Sequence, residues 1–231
     1  MEIIWHGHSF FEIIGRPLRR SFSSFGESGE QKKITILINP FDEKIGLKPK
    51  KATGDILLVS HNNNNHLNKK NIEGNPFLIE EPGEYEVQDV KIKAIPLSYD
   101  EKTWKERRQN IIFLFNIEDI KICHMGDLGE AELSNMELEE IIGVDIFLVP
   151  VGGKFTISGK EAAKIVTQVE PQIVIPMHYK IPGIKIDIDD EKPFLKGMGI
   201  KEKEVLKKLK IKKRDLREEK DGTEVVILEK V

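Results

Sequence analysis

The chain has 231 residues, with 36 Lys plus Arg against 39 Asp plus Glu, a formal net charge of -3 and a pI near 6.1. That balance excludes a generic nucleic-acid binder, whose footprint is a marked basic excess. The single cysteine, Cys123, excludes an intrachain disulfide, and neither a leader-like N-terminus nor a run of roughly 18 apolar residues points to export or a membrane, so a cytoplasmic protein is expected.

The length suits one domain over residues 1–231. Residues 2–5, 10–14, 34–38 and 55–60 are compact runs rich in Ile, Val, Leu and Phe, too short for helices and therefore predicted strands. Residues 17–33 mix Arg, Ser, Gly, Gln and Lys without a period, which predicts an inserted flexible surface loop. A lid using Phe22 and Phe25 is the sharper alternative for this segment. Pro82-Gly83-Glu84 marks a turn, residues 85–95 alternate as a hairpin, and residues 111–117 and 120–124 form another. Ser134 with Glu137, and Ser158 with Glu161, carry the capping-box pattern of helix starts. Strand-like runs at 144–149 and 172–176 accompany these helices, giving the strand–helix–strand rhythm of α/β packing. Residues 202–209 read as a last amphipathic helix, the Lys-rich run 207–214 as its solvated face, and residues 224–229 as a closing strand.

Three of these strands end in side chains suited to metal chemistry. The first runs into His61-Asn62-Asn63-Asn64-Asn65-His66, a polar loop. Alone this is as well explained by a turn that tolerates left-handed backbone, because the His spacing has no intrinsic ligand geometry. The second ends in His124-Met125-Gly126-Asp127-Leu128-Gly129, where glycines beside an acid let the backbone approach an ion closely. The third ends in Pro176-Met177-His178-Tyr179. His with carboxylate is a ligand set for zinc, iron or manganese.

In the order and spacing of its motifs the chain resembles the metallo-β-lactamase superfamily, in particular the compact branch of Zn-dependent hydrolases that includes the ascorbate-6-phosphate lactonase-like proteins. The resemblance is carried by Trp5-His6-Gly7-His8-Ser9-x-Phe11, Ile36-Leu37-Ile38-Asn39-Pro40-Phe41 and the loop at His61. It continues through Pro82-Gly83-Glu84-Tyr85, residues 107–110, His124-x-Gly126-Asp127, Val151-Gly152-Gly153 and Pro176-Met177-His178-Tyr179, and fails mainly at residues 17–33.

The resemblance implies an α/β fold, a four-layer αββα sandwich, with a two-metal centre at one edge that activates water against an ester, lactone, amide or phosphate. The family loop reads His-x-His-x-Asp-His; here Asn63 stands at a His position and Asn65 at the Asp. Tyr99 stands at the next His ligand, and Asn39 replaces the acid that ends the preceding strand. The first metal position thus keeps only His61, whereas the second keeps His66, Asp127 and His178. An amide is a weak ligand for zinc-like ions, and a phenol with a pKa of about 10 must ionise to serve.

The resulting expectation is at most one ion, zinc or else manganese or iron, with Asp127 and His66 acting on the reacting water. Hydrolysis of a small lactone, ester or phosphoester follows. The alternative is a metal-free, inactive homologue whose pocket binds a ligand or a protein partner. The resemblance also implies a small-molecule substrate and a homo-oligomer, while the charge balance and the lack of a long apolar run point to no nucleic-acid or membrane partner. Around the pocket, His8 is expected to line or pack, His124 to support Asp127, and Asp100 to be the one nearby acid able to replace a lost ligand. His6 and Cys123 are expected to be filler and a small buried residue, respectively.

Overall fold

The computed structural model describes residues 1–17, 32–61, 69–97, 110–216 and 222–231. The chain begins with β1 (Glu2–Gly7), β2 (Phe10–Gly15), β3 (Ile34–Ile38), β4 (Ala52–Thr53), β5 (Ile56–Leu58), β6 (Ile72–Glu73) and β7 (Phe77–Ile79). It continues through β8 (Gly83–Val87), β9 (Val90–Leu97), β10 (Asn110–Ile117), β11 (Ile120–His124), helix α1 (Asn135–Ile141), β12 (Ile146–Pro150) and α2 (Gly159–Val169). The last elements are β13 (Ile173–Met177), α3 (Lys192–Gly197), β14 (Val205–Leu206), β15 (Leu209–Lys210), β16 (Glu224–Val225) and β17 (Ile227–Leu228).

Two large sheets result, in the orders β15-β1-β2-β3-β5-β7 and β16-β13-β12-β11-β10-β9-β8. Their facing sides share one apolar core, to which Ile3, Trp5, Phe11, Ile36 and Leu58 contribute from the first sheet and Ile92, Phe113, Ile122 and Ile146 from the second. The two-residue side-chain period explains the division. Trp5 and Phe11 pair across β1 and β2 and both point inward. Leu37 and Leu57, between inward neighbours, instead join Phe10, Phe41, Ile45 and Ile184 on the outer face.

All five residues of β12 and all five of β13 are buried, as parallel strands covered on both faces require. Helix α2 supplies much of that cover with Ala162, Ile165, Val166 and Val169. Both predicted capping boxes form, at Ser134 and Ser158. The architecture is therefore the mixed α/β sandwich of two sheets. Among the described residues the outer layer over the first sheet is thin, built by the short 3-10 turn Glu43–Ile45 and the segment around Ile184 and Ile188.

Residues 202–209 are not a helix. They form β14 and enter β15, which pairs with the edge of the first sheet through Ile3 and Leu209. Leu209 and Ile211 are buried while Lys208, Lys210 and Lys212 are exposed, a period of two that edge pairing selects over local helical preference. The Lys-rich run is thus a solvated strand edge. The predicted strand 224–229 splits into β16 and β17, which join different sheets. Helix α3 has no counterpart in the sequence reading. Among the described residues no helix is long and apolar enough to cross a membrane. Most of the 17–33 segment lies outside the described residues.

Candidate metal centre at the strand ends

The ends of β5, β11 and β13 and the turn between β1 and β2 bring His61, Asp127, His178, His8 and Ser9 together. His61 Nε2 lies 3.4 Å from Asp127 Oδ2, and His178 Nε2 lies 3.8 Å from the same oxygen. The His8 and His178 rings are 4.0 Å apart between centroids. Sharp backbone reversals make this convergence possible: His8, Asn39, Gly126 and His178 all have φ between 51° and 58°. Such left-handed positions are uncommon for residues other than glycine and cluster where the fold over-determines them. At Gly126 a side chain is also excluded by space, since a Cβ there would lie 2.1 Å from Asn110 Oδ1.

Asp127 is held from two sides. Ser9 Oγ donates to its Oδ1 at 3.2 Å, and its own N–H donates to Asn110 Oδ1 at 2.9 Å. Asn110 Nδ2 in turn donates to the Met125 carbonyl at 2.9 Å, so one buried amide fixes the whole turn. Burial alone raises the Asp127 carboxyl, but His61, His178 and His8 outweigh it and hold the group well below the usual carboxylate range. The side chain keeps 23% of its surface exposed, so the burial penalty is only partial.

His124 has a different task. Its Nδ1 accepts from the Gly126 N–H at 3.0 Å, which leaves Nε2–H to donate to the Ser9 carbonyl at 3.3 Å. Burial pushes it down to about 4 against the pull of the Ser9 hydrogen bond and Asp127. It braces the Asp127 turn. Burial likewise lowers His178, opposed by Asp127, and the His178 N–H donates to the His8 carbonyl at 3.1 Å.

His61 is set by a chain of three residues. The Ser60 N–H donates to Asn39 Oδ1 at 2.8 Å, Asn39 Nδ2 donates to Ser60 Oγ at 2.7 Å, and Ser60 Oγ lies 2.8 Å from His61 Nδ1. Ser9, Ser60 and Asn110 were not singled out as site residues from sequence. The available signal was their position beside a candidate ligand or at a strand start. His66, Asn63, Asn65, Tyr99 and Asp100 lie outside the described residues. His6 is buried filler, stacked on Phe10 at 4.4 Å and 2.9 Å from Glu12 Oε2. Cys123 is fully buried, which pushes its thiol far up.

The donor types suit a divalent ion. Ligand atoms about 2.1 Å from a tetrahedral ion stand about 3.4 Å from one another, not far from the 3.8 Å between His178 Nε2 and Asp127 Oδ2. Charge-assisted hydrogen bonds are shorter, about 2.7–2.9 Å. Among the described residues no three His, Cys, Asp or Glu side chains form a complete ion-holding group. A cleft of about 470 Å³ on the outer face of the second sheet is a weaker candidate, because Lys93 there is already paired with Glu140 at 2.6 Å.

Comparison with known proteins agrees with this fold. The family profile described as the Beta-lactamase superfamily domain matches residues 23–178. A UPF0173 metal-dependent hydrolase of Thermococcus onnurineus is 29% identical over 83% of this chain and 91% of its own length. Another, from Staphylothermus marinus, is 31% identical over 83% of this chain and 89% of its own. The crystal structure of a candidate Zn-dependent hydrolase of the metallo-β-lactamase superfamily from Thermotoga maritima superposes with a TM-score of 0.71 at 32% identity, covering 98% of this chain and 97% of that one. The matched span includes Asn39, His61, Asp127 and His178. On fold and sequence, the chain belongs to the metallo-β-lactamase superfamily.

Proposed function

We propose that this chain is a hydrolase holding a single divalent ion, zinc or else manganese or iron, through Asp127 and His178 with His66 completing the set. The observation that carries the reading is the approach of His178 to one oxygen of Asp127, a carboxylate held ionised at neutral pH. The names of the relatives as metal-dependent hydrolases support it. When bound, such an ion lowers the pKa of a water and polarises a carbonyl or phosphoryl oxygen. The substrate class that fits is a small lactone, ester or phosphoester. In this reading Asp127, ionised at neutral pH, accepts a proton from the attacking water, with His66 as the other candidate acceptor should it not ligate the ion; Ser9 keeps the carboxylate from rotating, and β13 presents His178 rigidly. One ion is favoured over two because Asn63, Asn65 and Tyr99 are poor donors at the remaining positions.

The test is metal content by inductively coupled plasma mass spectrometry on protein purified without chelator and challenged with zinc, manganese and iron. About one equivalent, lost in His178→Ala, is expected. Two equivalents would contradict the depleted site. No metal under any condition would favour the second reading, a metal-free pocket that binds a ligand or partner. The incomplete donor group among the described residues is the observation on that side.

A further inference from the structure

We infer that Asn39, acting through Ser60, holds His61 as the Nε2–H tautomer and so withholds its ligating lone pair from an ion. The Ser60 N–H can only donate, so the Asn39 atom 2.8 Å from it is the amide oxygen. The other amide atom is therefore Nδ2, and it donates to Ser60 Oγ at 2.7 Å. Ser60 is fully buried, and its hydroxyl proton needs an acceptor. His61 Nδ1, at 2.8 Å, is that acceptor. A neutral imidazole that accepts at Nδ1 carries its proton on Nε2, and Nε2 is the atom turned to Asp127 Oδ2 at 3.4 Å. The proton positions are assigned here from the fixed direction of the partners.

Were Ser60 Oγ instead to accept from both neighbours, its own buried proton would be left without a partner. The assigned direction satisfies every group. It also puts a proton, not a lone pair, on the His61 Nε2 that lies 3.4 Å from Asp127 Oδ2, so this nitrogen has no electron pair to offer an ion. His178 is under no such constraint, because its buried Nδ1 has no hydrogen-bond partner. Asn39 is thus a positioning residue whose amide polarity, passed on by one hydroxyl, takes His61 out of the ligand set. This consequence for metal rests on the single-ion reading above; the tautomer itself does not.

Asn39→Asp reverses the direction. A carboxylate only accepts, so it takes the Ser60 hydroxyl proton, Ser60 Oγ accepts from His61 Nδ1–H, and the Nε2 lone pair faces Asp127. Lone pair against carboxylate is repulsive and is relieved by a cation between them. The substitution is close to isosteric, and Asp tolerates the left-handed φ of 51° at this position.

The experiment is long-range proton–nitrogen NMR on the metal-free full chain with labelled imidazoles, at a pH where the rings are neutral, followed by zinc titration. The wild type is expected to show His61 protonated at Nε2 and Asn39→Asp to show it protonated at Nδ1. Zinc should bind Asn39→Asp at least ~10-fold more tightly, the size of effects from groups behind a ligand. That gain should vanish when Ser60→Ala is added. A wild-type proton on Nδ1 overturns the inference. A zinc gain that survives Ser60→Ala also overturns it, since charge alone would then explain the effect. If the tautomer switches as expected but neither protein binds zinc, the single-ion reading fails and the withheld-ligand role with it.

Discussion

The Ser9 hydroxyl lies 3.2 Å from Asp127 Oδ1 and joins the turn between β1 and β2 to the end of β11 across 118 residues of sequence. The carbonyl of the same residue accepts from His124 at 3.3 Å, so Ser9 steadies the acid and the residue that braces its turn. Ser9→Ala is predicted to weaken zinc binding by roughly 10-fold, as loss of a group behind a ligand does. It should also cost about 1 kcal/mol of stability from the lost buried hydrogen bond. Calorimetric zinc titration and urea denaturation check the two effects separately. Unchanged zinc affinity would remove Ser9 from the support of the site.

Gly126 sits at φ 58° with Asn110 Oδ1 where a Cβ would need to be, 2.1 Å away. Gly126→Ala must move either the Asp127 turn or the buried amide that holds it. A loss of about 3 kcal/mol or more is expected, from strain combined with a broken buried network. Chemical denaturation measures this, and a loss under about 1 kcal/mol, the centre of the distribution for point substitutions in general, would show that the turn relaxes freely.

The metal-free protein should lose stability in mild acid. His124, at about 4 in the fold against 6.5 when free, binds its proton more readily in the unfolded chain. Its contribution is therefore complete above the free value and is lost as pH falls from 6.5 towards 4. The loss amounts to about 3 kcal/mol for that difference in pKa. His178, lowered by burial, adds to it with the same sign. Urea midpoints between pH 7 and 4.5 should fall accordingly, and His124→Gln should flatten the slope. Stability that stays level across this range would mean that His124 is not buried neutral.

Cys123 is completely buried within β11, with its thiol pushed up by desolvation and 3.6 Å from the Met125 sulfur. A thiol with almost no thiolate is a poor nucleophile. Modification by a disulfide reagent should therefore be negligible in the native protein and appear only at the rate of unfolding. Rapid stoichiometric labelling of folded protein would place a channel to β11.

Much of the fold was legible because burial leaves a period. The alternation in residues 85–95, the unbroken apolar runs of β12 and β13 and the hydroxyl–Glu spacing at Ser134 and Ser158 each state their own local structure. Residues 202–209 misled because Leu206, Leu209 and the intervening Lys side chains fit a short helix as well as two strands. Only the free edge beside Ile3, a partner some 200 residues away, decides between them. The same holds at the site. His61, Asp127 and His178 announce themselves as strand-end donors, and the structure brings them together. Ser9, Ser60 and Asn110 do not, because a serine or asparagine acquires its role from the direction in which a distant partner offers a proton. The loop at Asn63, Asn65 and His66 lies outside the described residues, as does Tyr99.

The β1–β2 turn also sets an order of events. His8 and Ser9 emerge among the first residues of a growing chain, yet what they touch in the site belongs to residues 124, 127 and 178. Contacts of such long sequence separation form late and slowly in folding. A nascent N-terminal half has no Asp127 and no His178, and so cannot capture an ion in a premature arrangement. Zinc added during refolding should accordingly leave the early phases unchanged and alter only the last, a result that stopped-flow fluorescence of Trp5, which itself hydrogen-bonds the His8 carbonyl at 2.9 Å, is placed to read.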